Sequence, residues 1–344
     1  MATLSRLIFY PLLILFFLGK LFPIIDIFIV FYAISNLLAQ KNYQINNKYL
    51  VIFSIIAIIS NLLFFNILSW LYLVRLLMLL SIFIYPPTLD IYQQKFINII
   101  LASTIIFGFI QYFIWPNLTI MASQNWDPHL YRLVSSYFDP TFTGLIFLFI
   151  LICVYFSKIK FKNIILLIIY IAIALTYSRS TLVSFLIVFS YPSFVKKDIK
   201  IFFIALSIFI FTFAILPRMP GEGTRLERTS SIFAKIQNYK QGINIFIKNP
   251  ITGIGYNNIP FLNPQNNQSH SNSGFDSSLL TIAITTGIFG LIFLILGLHY
   301  EFINGNLFFQ SLLLALIIHS LFANSLFYPY ITLLLVLFKS KNQK

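Results

Sequence analysis

The sequence predicts an all-α, polytopic membrane protein. Three observations predict it: an apolar composition, apolar runs of membrane-crossing length, and lysines gathered at alternate run ends. Of the 344 residues, 59% are hydrophobic and only 9% are charged, with a mean hydropathy of +0.88. A soluble domain of that length has too little interior for so much apolar surface, so lipid must serve as solvent. The runs are roughly 16–21 residues long, enough for a helix to cross about 30 Å of hydrocarbon. They are solidly apolar rather than alternating, which argues against membrane strands.

Twelve helices are expected, over 4–19, 21–39, 49–67, 69–86, 96–115, 142–157, 163–178, 180–195, 200–217, 277–298, 306–320 and 322–338. They make a single membrane domain over 1–344 with both ends on one side. The opening stretch MATLSRLIFYPLLILFFLGK resembles a signal peptide in charge and length. No small-x-small cleavage pattern follows, so it is expected to stay as the first helix. Cys153 is the only cysteine, which excludes an internal disulfide or a cysteine metal centre.

Lysine sets the sidedness. With the N-terminus inside, the segments 40–48, 87–95, 158–162, 196–200, 299–305 and the tail from 339 face the cytoplasm. They hold twelve of the sixteen lysines, as the positive-inside rule requires. The net charge of +14 is therefore read as cytoplasmic anchoring and not as a nucleic-acid surface. Arginine behaves differently. Arg6 is at the inner N-terminus, but Arg132, Arg179, Arg218, Arg225 and Arg228 all fall outside. Arg75 lies within the fourth span, about 10 Å below the outer surface at about 1.5 Å per residue. Arginine at that depth costs a few kcal/mol unless it lines a wet or anionic cavity.

Two outer segments are longer than turns, 116–141 and 218–276. In the second, Ile232, Ile236, Tyr239, Ile243 and Phe246 recur at helical spacing, widened by Phe233 and Ile247. This predicts an amphipathic helix, ended by Pro250, that lies along the membrane surface or covers a cavity. Arg225, Arg228 and Lys235 share one flank of it if the helix starts early enough. ITGIGYNN follows, with Gly253 and Gly255 permitting a tight turn. A polar stretch carrying His270 and Asp276 then leads into the tenth span. Arg179, in LTYSRSTL, closes the seventh span at the outer surface. Guanidinium groups collected on one face point to an anion with oxygens spaced for bidentate contact, and a lipid phosphate or diphosphate fits best.

Several pieces in order resemble the O-antigen polymerase and O-antigen ligase superfamily, the Wzy/WaaL type. They are RLVSSYFDPTFTG, LTYSRSTL, the amphipathic stretch leading to KNPITGIG, His270, and FDSSLLTIAITTGIFGLIF. The resemblance covers most of the chain. It implies a glycosyltransferase C-type (GT-C) helical architecture with a large periplasmic loop, in the bacterial inner membrane. It implies glycan transfer from an undecaprenyl-diphosphate carrier, with neither a nucleotide sugar nor a metal, and no cofactor. The partners implied are the lipid-linked oligosaccharides that serve as donor and acceptor, the membrane lipid, and optionally a chain-length regulator protein. Arg179 matches the family's serine-arginine position and His270 its late-loop histidine. The family's other loop arginine falls here at Lys235, with Arg225 and Arg228 two to three helical turns earlier, so any of the three can hold the diphosphate.

The chemistry expected is attack of an acceptor hydroxyl on the anomeric carbon, with polyprenyl diphosphate leaving. Arg179 with Arg225 or Arg228 would stabilise the departing charge, with Arg132 and Arg75 as second candidates. His270 suits the task of base. Asp276 is the nearest carboxylate, although a helix cap is its favoured role. Asp139 before Pro140 is read as turn chemistry, His129 as part of a turn with Asp127 and Pro128, and His299 and His319 as structural. Four functions compete: polymerase first, then O-antigen ligase, protein O-oligosaccharyltransferase, and a transporter or flippase of lipid-linked sugar. No internal repeat is visible, which ranks the transporter last.

Overall fold

The computed structural model describes residues 2–40, 45–119, 129–195, 197–262 and 274–341. Among them there are helices and turns and no strand. In order the helices are α1 (Ala2–Leu18), α2 (Ile25–Ala39), α3 (Lys48–Leu63), α4 (Ile67–Ile84), α5 (Ile91–Ile114), α6 (Pro140–Phe156), α7 (Lys162–Leu175), α8 (Arg179–Val195), α9 (Ile199–Ile215), α10 (Ser230–Lys248), α11 (Ser278–Asn304), α12 (Leu307–Ser320) and α13 (Pro329–Lys341). Four segments are long and apolar enough to cross a membrane: Leu4–Leu21, Ile67–Ile84, Ile91–Ile114 and Ser278–Asn304. Eight shorter helices are also apolar, and only α10 is not of this kind.

Local chemistry places the helix starts. Asn47, Asn66, Asp139, Asp198, Ser277 and Asn306 each accept a backbone N–H of the turn they open. Asp90 and Gln93 form a reciprocal capping box, so α5 begins at Ile91 and not at 96 as expected. Pro23 delays α2 to Ile25. The last helix starts at Pro329 rather than 322, because residues 321–328 form a turn with a 3-10 stretch over Ser325–Phe327 and Pro suits the first helical position.

Burial sorts the helices into a centre and a shell. α6 is buried along almost its whole length, and so is α13 from Tyr330 to Phe338. By contrast α9 buries only Ala205 and Thr212 and exposes Phe203, Ile204, Ile210 and Phe211. Exposed apolar side chains on that scale need lipid against them. α12 packs on α6 and α8, while α11 packs on α3 and α10. On one side of the bundle, Lys339 pairs with Glu301 at 2.7 Å, and Asn47 donates to the other carboxylate oxygen at 3.0 Å. This ties α13, α11 and α3 together.

α11 is broken. Gly287 has φ 70° and ψ −174° within it, outside any helical geometry. In an unbroken helix Ile284 O would receive the N–H of Ile288. Here Ile288 N donates to Pro250 O at 2.8 Å instead. Ile254 N takes Ile284 O at 3.0 Å and Gly255 N takes Thr285 O at 2.9 Å. The ITGIG turn thus plugs into the break, and each backbone group released there finds a partner. Ser60 Oγ of α3 seals it, 2.6 Å from Thr252 O and 2.7 Å from Thr285 O. A Cβ on Gly287 would stand 1.9 Å from Ile251 O, and one on Gly253 2.4 Å from the Thr285 carbonyl carbon. Both glycines are required by contact as well as by positive φ. Gly287→Ala should therefore cost about 2–4 kcal/mol, seen as a fall of several degrees in the thermal unfolding midpoint of the detergent-purified protein.

Candidate functional site

The α7–α8 hairpin supplies the floor of the site. Thr176, Tyr177 and Ser178 turn the chain, and Arg179 opens α8 rather than closing α7. Tyr177 sits at φ 50°, a left-handed conformation uncommon for a large side chain. Surrounding contacts hold it there. Buried Arg132 donates through Nε to Thr176 O at 2.9 Å and through Nη2 to Tyr177 O at 3.5 Å. Tyr177 Oη donates to Pro217 O at 2.8 Å. His129 and Tyr131, just before Arg132, also have positive φ, so strain gathers around this turn.

The second outer segment folds over that floor. Arg179 Nη1 donates to Arg228 O at 2.7 Å and Leu226 O at 3.4 Å, and Nη2 donates to Ser231 Oγ. These partners are neutral oxygens, so they hold the guanidinium without cancelling its charge. Arg228 turns back on its own loop, donating to Gly223 O at 2.7 Å and Arg225 O at 3.0 Å. Arg225 and Arg228 precede α10 and do not lie on its flank, because a 3-10 turn over Glu222–Thr224 and a further turn come first and α10 starts only at Ser230.

α10 is amphipathic and ends before Pro250, as its spacing predicts, and its apolar stripe is divided: Ile232, Ile236 and Tyr239 line the cavity described below, while Phe233, Ile243 and Ile247 do not. Ile232, Phe233, Ile236, Ile243 and Ile247 are exposed, while Asn238 and Gly242 are buried. The protein-facing side carries the polar contacts. Lys235 Nζ donates to Phe322 O and Tyr239 Oη to Leu321 O, two carbonyls just past the end of α12. Asn238 accepts the N–H of Asp276 at 2.9 Å. Asp276 is not the cap of α11. Ser277 fills that role, which leaves the Asp276 carboxylate 3.8 Å from Lys235 Nζ.

Between floor and cover lies a cavity of about 940 Å³. Arg132, Arg179, Arg228 and Lys235 all line it, with the hydroxyls of Thr141, Ser178, Ser180 and Ser231. Val183, Ile232, Ile236 and Phe322 give it an apolar wall, and His129 reaches its lining. Four of the six predicted anion-binding residues therefore meet in one place. Arg225 is exposed and not part of the wall. Arg75 lies elsewhere, paired with Asp26 at 2.8 Å and stacked on Tyr72. Arg218 pairs with Glu227 at 3.3 Å on the surface. His270 lies outside the described residues. Among the described residues no group of three His, Cys, Asp or Glu side chains comes together to hold a metal ion.

Two histidines belong to the site that sequence reasoning set aside. His129 lines the cavity. His319, wholly buried at the end of α12, lies 3.1 Å from Ser180 Oγ and 3.3 Å from Thr181 Oγ1 through Nε2. No periodicity could have shown this, since Ser180 and His319 are 139 residues apart. The available signal was weak: a polar side chain in the last turn of an otherwise apolar run.

Residues 164–295 match the O-antigen ligase family, a stretch that runs from α7 through the cavity's cover into α11. The match bears out the O-antigen ligase and polymerase superfamily read from the sequence, without separating polymerase from ligase. Over that stretch the chain is thus similar to proteins of O-antigen assembly, and its long apolar helices are of the length and composition that cross a membrane. No curated protein matches it.

Burial lowers the pKa of Lys235 from its ordinary 10.5. The nearby charge of Asp276 opposes this, and those of Arg179 and Arg228 add to it. Just below that ordinary value the unfolded chain binds more protons than the folded one, so stability should rise with pH there. Tyr239 is raised by burial and acts in the opposite sense, but only at and above its ordinary 10.0. Thermal midpoints taken from about pH 8 to 9.5 should therefore climb for the wild type and climb less steeply in Lys235→Met.

Proposed function

We propose that the chain is a polysaccharide polymerase for O-antigen or capsule. It transfers a glycan from undecaprenyl diphosphate onto a lipid-linked repeat unit at the periplasmic face of the inner membrane. The observation that carries this reading is the convergence of Arg132, Arg179, Arg228 and Lys235 on one cavity with an apolar wall. Four cations around one cavity repel one another and favour an anion placed among them. A diphosphate supplies that anion, and Val183, Ile232, Ile236 and Phe322 offer a path for a prenyl tail. The N-terminus of α8, which opens at Arg179, adds favourable partial charge. In this reading the twelve apolar helices all cross the membrane in a GT-C arrangement, and the lysine-rich turns face the cytoplasm.

The step follows from those parts. The acceptor hydroxyl oxygen bonds to the anomeric carbon while the bond from that carbon to the diphosphate oxygen breaks. The electron pair leaves on the diphosphate, where Arg179, Arg228 and Lys235 stabilise it. The hydroxyl proton passes to His270 or Asp276, and Asp276 stands 3.8 Å from Lys235, which lines the cavity. No nucleotide sugar, metal or other cofactor enters the step. A second reading, O-antigen ligase, is favoured by the description of the matched family.

Arg179→Ala should abolish long-chain polysaccharide on gels while the protein still inserts at normal levels. Unchanged chain length would remove Arg179 from the mechanism. Deleting the gene separates the two readings. A polymerase null leaves single repeat units on the final acceptor, whereas a ligase null leaves a bare acceptor and polymer still on its lipid carrier.

A further inference from the structure

The hydroxyl cluster around His319 has a direction built into it. Ser178 Oγ accepts from Thr181 Oγ1 at 2.8 Å and from Thr181 N at 3.4 Å. Ser178 and Ser180 Oγ lie 3.1 Å apart, and both residues line the cavity on either side of Arg179. His319 touches Ser180 and Thr181 through Nε2 and Ser325 Oγ, at 2.6 Å, through Nδ1. Thr181 Oγ1 also lies 3.5 Å from Thr141 O, a longer contact than its 2.8 Å bond to Ser178. If Nδ1 carries the proton, Nε2 takes the Ser180 proton, Ser178 donates to Ser180, and the hydroxyl hydrogens of Ser178, Ser180 and Thr181 are all used internally. If Nε2 carries it, Ser180 accepts from the ring and Ser325 donates to Nδ1. One hydroxyl hydrogen of the Ser178–Ser180 pair then has no internal acceptor and points into the cavity.

We propose that His319 is a positioning residue of the cavity: its Nε2–H tautomer, held by Ser325, turns the Ser178–Ser180 pair into a hydroxyl donor beside Arg179 for a diphosphate oxygen. This rests on the diphosphate reading above and deepens it. His319 does not touch the ligand. It is enclosed on all sides, so it selects a hydrogen-bond direction and takes no part in proton transfer. A neutral donor next to a guanidinium suits a diphosphate, whose oxygens outnumber what one arginine can reach.

The test uses the full-length protein in lipid nanodiscs, with undecaprenyl diphosphate as the probe. Ser180→Ala and His319→Ala should each weaken probe binding about tenfold. The double variant should bind no more weakly than either single one, since both remove the same donor. His319→Gln, whose amide can donate to Ser180, should restore most of the affinity. In ¹⁵N-histidine spectra, the resonance lost in His319→Gln should report the Nε2–H tautomer with probe bound. Wild-type affinity in Ser180→Ala, binding by His319→Gln no better than by Ser180→Ala, or an Nδ1–H tautomer with probe bound, overturns the proposal. So does a double variant whose losses multiply. Those two variants and the spectra keep the test open if His319→Ala does not fold. Arg179→Ala is the separating arm. If it too binds as wild type, the diphosphate reading itself fails; if it alone weakens binding, only the role of His319 does.

Discussion

The rest of the structure depends on how the chain satisfies its backbone where α11 breaks. Peptide groups at membrane depth have no water to turn to, so a break in a helix must be repaired by protein. Here the repair is the turn after Pro250, whose N–H groups take the carbonyls that α11 abandons at Ile284 and Thr285. That repair anchors the end of α10. With its far end pinned, α10 lies across the mouth of the α7–α8 hairpin, and Ser231, Lys235 and Tyr239 reach Arg179 and the end of α12. The position of the cavity's cover is thus a consequence of a hydrogen-bond requirement some distance away.

The division of labour between the two basic residues is also physical. A compact ammonium suits a helix end, and most lysines sit at or beyond such ends. A guanidinium offers a fork of donors that can grip several carbonyl oxygens and stay charged. Arg132 and Arg179 do this to the two outer segments, and their charge persists because carbonyl oxygens are neutral. Arg75 shows the other outcome: within α4 it is paired with Asp26.

The all-helical class, the amphipathic α10 and the gathering of Arg132, Arg179, Arg228 and Lys235 were legible because each has a linear signature. Composition, spacing and charge asymmetry are local properties. What was not legible depended on contacts between distant segments. The spacing of α10 showed a stripe but not which way it faced, since the inward side is set by Lys235, Asn238 and Gly242 meeting their partners. Asp276 looked like a cap because Asp276, Ser277 and Ser278 can each serve at the start of α11, and only packing shows that Ser277 does. His319 stood in an apolar run, and its partners Ser180, Thr181 and Ser325 come from two other parts of the chain.

The turn at Tyr177 carries a last implication. Its carbonyls are gripped by Arg132 from the first outer segment, and its neighbour Arg179 grips carbonyls of the second. The two segments are therefore clasped together through four consecutive residues and cannot be treated as separate cassettes. A chimera that exchanges the first for that of a relative takes away the arginine that grips the hairpin, and one that exchanges the second changes the backbone that Arg179 holds. Reshaping the cavity on this scaffold means transplanting both segments and the hairpin tip as one piece.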